Sequence, residues 1–243
     1  MFFWSQKAAC TSLFHFLAEN VDVPPENKRY FHLNSQSYKQ CLPAIRRQGY
    51  RSVILARHPV TRSISAYLNK FCLYRGKILR QRKDLEPFAQ ELHDLHCARR
   101  GITAPHDQAN TMSFLEFLDN VASLHAARPK TELPVNGHWE TQVPAFLLKQ
   151  GLRYDDVVHV EALEAELGSL ATRLDMRYRP RRMNRTTLAE KRHQGPLVDV
   201  PARDVAAHDF GYENFITDET LTRIEALYAV DFRTFGYPLR PAL

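Results

Sequence analysis

"FFWSQKAACTSLFHFL", residues 2–17, decides how this chain is read. An apolar, aromatic run (Phe2, Phe3, Trp4) meets Lys7, then the small residues Ala8, Ala9 and Cys10, then Thr11, Ser12 and a second apolar run. The rhythm is strand, tight loop, helix. A helix N-terminus presents backbone N–H groups and the positive end of a dipole, so such a loop is a natural anion site. Lys7 adds a mobile positive charge. Thr11 and Ser12 are expected to cap the helix and to donate hydroxyl hydrogen bonds to phosphate oxygens. Glycine usually permits close backbone approach in such loops, yet the first glycine here is Gly49. Ala8, Ala9 and Cys10 are the next smallest choice. The pattern G-x-x-x-x-G-K-[ST] is absent, because Lys7 precedes the turn, and an ordinary ATP or GTP site is disfavoured. By itself the stretch fits a phosphate loop and a plain capped helix equally well.

A second stretch, "RHPVTRSISAYLNKF" (57–71), tips the balance. Arg57 ends the buried strand "SVILAR" (52–57), where the loops of parallel α/β sheets meet ligands. A guanidinium there can grip a phosphate through two parallel hydrogen bonds. Ser65, two turns into the following helix, can add a hydroxyl. That helix is predicted from Pro59, which suits the first helical position, to about Tyr74. Val60, Ile64, Tyr67, Leu68 and Phe71 give it one apolar face, with Arg62, Ser65 and Asn69 on a neighbouring one. The plainer alternative leaves Arg57 and Arg62 solvated and Ser65 neutral. Two strand-to-helix anion sites in one sheet point to a ligand with two separated phosphates.

Four segments read as buried strands: Phe2–Ser5, Arg29–Leu33, Ser52–Arg57 and Asp156–Glu161. Helices are expected between and after them at Leu85–Arg99, Ser113–His125, Thr141–Gln150, Leu163–Leu174 and Asp218–Val230. Strands alternating with helices predict a parallel α/β sheet. The stretches Gly101–Thr111, Ala127–Gly137 and Arg177–Pro201 read as loops, the last being basic and the best candidate for a substrate-facing lid. With 243 residues, 44% hydrophobic and 25% charged, the chain is read as one globular domain, 1–243.

Composition narrows the class further. No run approaches the ~18 apolar residues of a membrane span. A core strand from residue 2 stands where a secretory signal would be, so with Met1 as the start a cytoplasmic location is expected. Cys10, Cys41, Cys72 and Cys97 are scattered without a CxxC pair, which argues against a disulfide framework and a structural zinc site. The net charge of +6 favours anionic partners: a nucleotide, a nucleic acid or an acidic polysaccharide.

Four segments carry a family resemblance. "KAACTS" resembles the 5′-phosphate loop, and "RHPVTRSISAYLNKF" the 3′-phosphate segment, of sulfotransferases that use PAPS (3′-phosphoadenosine 5′-phosphosulfate). "NGHWETQ" (136–142) with "YDDVVHVEALEAEL" (154–167), and "LYAVDFRTFGY" (227–237), resemble later segments in the same order. The likeness is closest to the Golgi carbohydrate sulfotransferases of the chondroitin 4-O type. His58 and Gln6 depart from it, standing where an acidic residue and a proline are common. The cysteine pair expected after the His-Trp segment is replaced by "FLLKQG", and the Golgi anchor is missing, so the chain resembles a soluble bacterial relative.

The resemblance implies a P-loop NTPase-like three-layer sandwich around a central parallel sheet, and a PAPS-dependent O-sulfotransferase acting on a carbohydrate or glycoconjugate. Lys7, Ala8, Ala9, Cys10, Thr11 and Ser12 would hold the 5′-phosphosulfate, with Lys7 neutralising the leaving phosphate. Arg57 and Ser65 would hold the 3′-phosphate. No metal is implied, since the lysine supplies the charge. Sulfuryl transfer, like phosphoryl transfer, depends mostly on positioning and charge stabilisation. A base should take the acceptor's proton, and histidine suits this near neutral pH. His138 is the leading candidate, His32 the next and Glu140 the third. A partly buried His138 supporting Trp139 is the alternative.

Other patterns rank lower. "HDLHC" places His93, His96 and Cys97 on one helical face without an evident fourth ligand. G-x-S-x-G and H-E-x-x-H do not occur. Asn184-Arg185-Thr186 matches a glycosylation sequon but lacks a secretory signal. The basic stretches "YRGKILRQRK" (74–83) and "RYRPRRMNR" (177–185) leave a nucleic-acid-binding or other nucleotide-binding P-loop-like protein as the alternative. With the sulfotransferase reading they suggest an acceptor cleft, and no nucleic-acid partner.

Overall fold

A computed structural model describes residues 1–27, 29–74, 77–78, 85–103, 111–127, 135–143, 149–180 and 193–243. In chain order the elements are β1 (Phe2–Trp4), α1 (Cys10–Ala18), α2 (Arg29–Leu33), α3 (Tyr38–Gln48), β2 (Val53–Ala56) and α4 (Pro59–Tyr67). A π-helical turn (Leu68–Cys72) leads to β3 (Leu73–Tyr74) and β4 (Lys77–Ile78), an antiparallel pair, followed by α5 (Pro87–Arg100) and α6 (Phe114–Ala127). Then come β5 (Asp156–His159), a 3₁₀ turn (Val160–Ala162), α7 (Leu163–Arg173), α8 (Ala202–Val205), a second 3₁₀ turn (Tyr212–Phe215) and α9 (Asp218–Phe235). The fold is α/β. The described chain clusters into two compact units, Met1–His58 with Gln142–Thr186, and Pro59–Thr141 with Thr187–Leu243.

The first unit holds the parallel sheet, ordered β1-β2-β5, with Phe3 beside Ile54 and Leu55 beside Val158. Val53, Leu55 and Val158 turn one face towards Leu13, Phe14 and Phe16 of α1 and Leu167, Leu170 and Ala171 of α7. All four residues of β2 are buried, as expected for a central strand covered on both faces. Because the strands are parallel, their C-terminal ends share one edge. Residues 5–9, Arg57–His58 and Val160–Ala162 leave from that edge. At the opposite edge Asp156 accepts from Arg51 Nε at 2.5 Å and pairs with Arg173 at 2.9 Å.

Arg51, and then Arg173, hold the Asp156 carboxyl below the usual carboxylate range. Hydrogen bonds from the Ser52 N–H and hydroxyl do the same for Asp155. A depressed folded-state pKa stabilises the protein above the unfolded value, and that stability is lost as pH falls through the folded one. Denaturant midpoints are therefore expected to fall as pH drops below about 5, and further below about 4, and Asp156→Asn to flatten that slope. An unchanged slope in the variant refutes the assignment.

The second unit is helical around a core that includes Ile64, Tyr67, Phe71, Phe114, Phe117, Trp139, Phe215 and Tyr228. The described chain contains no helix long and apolar enough to cross a membrane.

Several expectations need correction. Arg29–Leu33 is a helix, not a strand. Phe31 stacks on Phe14 at 5.3 Å, while Asn34 Nδ2 and Ser35 Oγ donate to the carbonyls of Tyr30 and His32. These local side-chain bonds close a turn that the aromatic composition did not suggest. α4 ends at Tyr67 and passes into the π turn, rather than continuing to Tyr74. α3 was missed, although Ser37 and Gln40 form a capping box and Gly49 ends it in the left-handed region. The 141–150 helix falls largely on residues 144–148, outside the described residues; Thr141, Gln142 and Val143 are not helical.

Candidate functional site

The loop between β1 and α1 is built without glycine but with glycine-like backbone. Lys7 has φ 67° and Ala9 has φ 54°, both left-handed. For residues with a Cβ this conformation costs about 1–2 kcal/mol each, and such outliers gather at functional sites. The turn is closed by the Ala8 N–H donating to the Ser5 carbonyl at 3.2 Å, with Ala8 fully buried. Ala9 is the N-cap of α1 and makes no side-chain cap bond. Thr11 and Ser12, expected from the sequence to cap the helix, are therefore not its caps; they sit in its first turn. The amides of that turn have no helical carbonyl to meet.

Arg57 follows β2 and is half-buried. Its backbone is held by a buried amide: the Arg57 N–H donates to Gln142 Oε1 and Gln142 Nε2 donates to the Arg57 carbonyl, both at 2.8 Å. Ser5 Oγ also donates to Gln142 Oε1, at 3.4 Å. The Arg57 guanidinium donates to the Lys7 carbonyl at 3.1 Å. Lys7 and Arg57, fifty residues apart, are thus brought together. Gln142 was not singled out from the sequence, and its only signal was its place at the end of "NGHWETQ". The buried His58 donates its N–H to Glu161 Oε1 at 2.9 Å. A cavity of about 430 Å³ opens beside Ser12, lined also by Phe16, Glu161, Leu163, Tyr178 and Arg179.

Within the second unit, α4 is closed to solvent almost everywhere. From Pro59 to Cys72, Ser65 and Asn69 alone are not buried. Arg62 is 1% exposed, neither solvated nor on an open face. It donates to the carbonyls of Glu140 at 2.8 Å and Gly137 at 2.7 Å, with Tyr228 beside its guanidinium carbon at 5.9 Å. His125 Nε2 and the Tyr228 hydroxyl both meet the Trp139 carbonyl, at 2.9 and 3.0 Å. Burial pushes the Tyr228 hydroxyl up, keeping it a donor. Tyr228 also departs from helical dihedrals and kinks α9 there. Three carbonyls of the turn 137–140 are therefore held by side chains from α4, α6 and α9.

That turn carries His138. Its Nδ1 lies 2.8 Å from Asn136 Oδ1, and its ring stacks on Phe88 at 4.4 Å and 12°. Trp139 is fully buried, packed against Phe71, Phe88 and Phe117. The Glu140 carboxylate accepts from the N–H groups of Val135 and Thr141 at 2.7 and 2.8 Å and so closes the loop. His32 lies in α2, not at a strand end, and meets Phe14 edge-on.

In α5, Cys97 Sγ lies 3.5 Å from His93 Nδ1, and His96 Nε2 lies 3.1 Å from Thr111 Oγ1. No group of three or more His, Cys, Asp or Glu able to hold a metal occurs among the described residues. All four cysteines are free thiols. Most of 74–83, and 181–186 with the sequon, lie outside the described residues.

No curated protein and no solved structure matches the chain significantly. The sequence profile described as the sulfotransferase family matches residues 6–238, from the residue before Lys7 to the end of "LYAVDFRTFGY" and beyond. With a parallel sheet and a match across nearly its whole length, the chain belongs to the sulfotransferase family.

Proposed function

We propose that this protein is a PAPS-dependent O-sulfotransferase that sulfates a hydroxyl of a carbohydrate or glycoconjugate, working as one domain. The observation that carries the reading is the Lys7–Ser12 turn, with two non-glycine residues in the left-handed region and Arg57 tied to the Lys7 carbonyl. Strain of this kind persists only where the surrounding structure enforces it, and it gathers at active sites and ligand clamps. The small residues, the first-turn amides and the adjacent cavity fit a 5′-phosphate with a nucleoside beyond Ser12.

PAPS, when bound, supplies a sulfuryl group that passes in line to the acceptor oxygen and leaves PAP (3′,5′-bisphosphate). The backbone of Ala8–Ser12 and the hydroxyls of Thr11 and Ser12 hold the 5′-phosphate. Lys7 balances the negative charge that grows on the departing phosphate oxygen. Arg57 and Ser65 are assigned to the 3′-phosphate. His138 takes the proton of the acceptor hydroxyl, since the carboxylate of Glu140 is engaged in closing its loop.

Calorimetry with PAP, with ATP plus Mg²⁺ and with duplex DNA tests the reading. Tight binding of PAP without magnesium is the expected result. A folded sample that ignores PAP would falsify it. Labelled PAPS offered to a panel of glycans then identifies the acceptor, and transfer only to non-carbohydrate hydroxyls would overturn that half of the proposal.

A further inference from the structure

Resting on His138 as the base, we propose that Asn136 is a positioning residue that keeps the His138 proton on Nδ1, so that Nε2 receives the acceptor's proton. The amide orientation of Asn136 follows from one bond. The backbone N–H of His138 points at the same side-chain atom, at 3.0 Å, as does the ring Nδ1, at 2.8 Å. A backbone N–H only donates, so the atom it meets is the oxygen Oδ1 and not the amide nitrogen. An oxygen without a hydrogen only accepts. The Nδ1 that faces it must therefore carry the proton, and the lone pair of the neutral imidazole sits on Nε2.

The surroundings hold this arrangement still. Asn136 starts the turn, its carbonyl accepting from the N–H groups of Trp139 at 3.0 Å and Glu140 at 2.9 Å. Phe88 covers one face of the ring, and Lys70 Nζ lies 5.2 Å from the Phe88 centroid. Lys70 is paired with Glu86 at 2.9 Å. Among the described residues, charged groups near the imidazole include Lys70 and Glu86, which lie by Phe88, and Glu140 on the same turn. The turn itself hangs on Arg62, His125 and Tyr228. During transfer the acceptor oxygen bonds to sulfur as the bond from sulfur to the departing phosphate oxygen of PAP breaks, and the acceptor O–H bond breaks with it. The proton goes to Nε2, giving an imidazolium whose Nδ1–H still donates to Asn136, and solvent removes it afterwards.

Nitrogen-15 NMR of the imidazole in the folded protein reads the tautomer directly, without turnover. The wild type is expected to show the proton on Nδ1, and Asn136→Leu to lose that preference. Turnover in Asn136→Leu should fall within the ~10²–10⁴-fold that a positioned base contributes, with PAP affinity kept. Asn136→Asp retains the acceptor oxygen and adds a charge that favours the imidazolium, so the acidic limb of its kcat–pH profile should move to higher pH. A wild-type proton on Nε2, or the same tautomer in Asn136→Leu, overturns the inference. An unmoved acidic limb in Asn136→Asp overturns its link to catalysis. His138→Ala that keeps its turnover overturns the base assignment instead, an outcome separate from the NMR result.

Discussion

Lys7→Ala is expected to lower kcat by about 10²–10³-fold while PAP affinity changes by about threefold or less. In the proposed reaction the lysine meets charge that is larger in the transition state than in the bound reactants, and only such a difference accelerates the chemical step. Its carbonyl, which receives the Arg57 guanidinium at 3.1 Å, survives the substitution, so the loop keeps its tie to β2. Arg57→Ala is expected to behave in the opposite way. It removes a charged donor from a phosphate present in donor and product alike, so affinity for PAP should fall by about 10–100-fold, matching the ~1.5–3 kcal/mol of a hydrogen bond to a charged group. Turnover at saturating donor should change less. Steady-state kinetics beside PAP calorimetry separate the two. Equal, small effects from both substitutions would mean that the phosphate site lies elsewhere.

Arg62→Met should be the most damaging substitution for stability. The side chain is 1% exposed and satisfies the carbonyls of Gly137 and Glu140. Methionine fills similar space but donates nothing, leaving two half-buried acceptors without this donor, at about 1–3 kcal/mol each. A loss of about 3 kcal/mol corresponds to a Tm lower by about 6–12 °C for a chain of this length. Turnover at a temperature where the variant is still folded should fall as well, because the turn that carries His138 has lost one of its supports. Arg62→Lys is expected to fall between, since a single ammonium cannot span two carbonyls as a guanidinium fork does. A methionine variant as stable as the wild type would show that Arg62 is not what holds the turn.

Much of the local architecture around the candidate site is legible in the sequence. The strand–loop–helix rhythm of residues 2–17 and 52–67 follows from short apolar runs and from small or proline residues at helix starts, all properties of neighbouring residues. The loop from Ser5 to Ala9 and the helix from Pro59 appear where that periodicity puts them. Legibility failed where a residue's role depends on partners far away in the chain. Arg62 sits at a helical position that looks open in sequence, and it is buried because carbonyls seventy-five and seventy-eight residues later accept from it. Gln142 looks like any polar residue after a tryptophan, yet its amide grips both backbone groups of Arg57. Residues 29–33 carry strand-forming aromatics, and a stack on Phe14 with local side-chain bonds makes them a helix.

The sequence by itself determined that this protein has a parallel α/β sheet, that a tight loop and a helix follow its first strand, and that His138 stands just before Trp139. Spacing and side-chain chemistry act over a few residues and are written directly in the order of the chain. Only the tertiary structure decided that the loop stores strain at Lys7 and Ala9, that Arg57 joins it, and that Asn136 Oδ1 faces Nδ1 of His138. Backbone dihedrals, burial and the direction of a hydrogen bond are set by the whole packed chain, because each depends on what the fold places opposite a group.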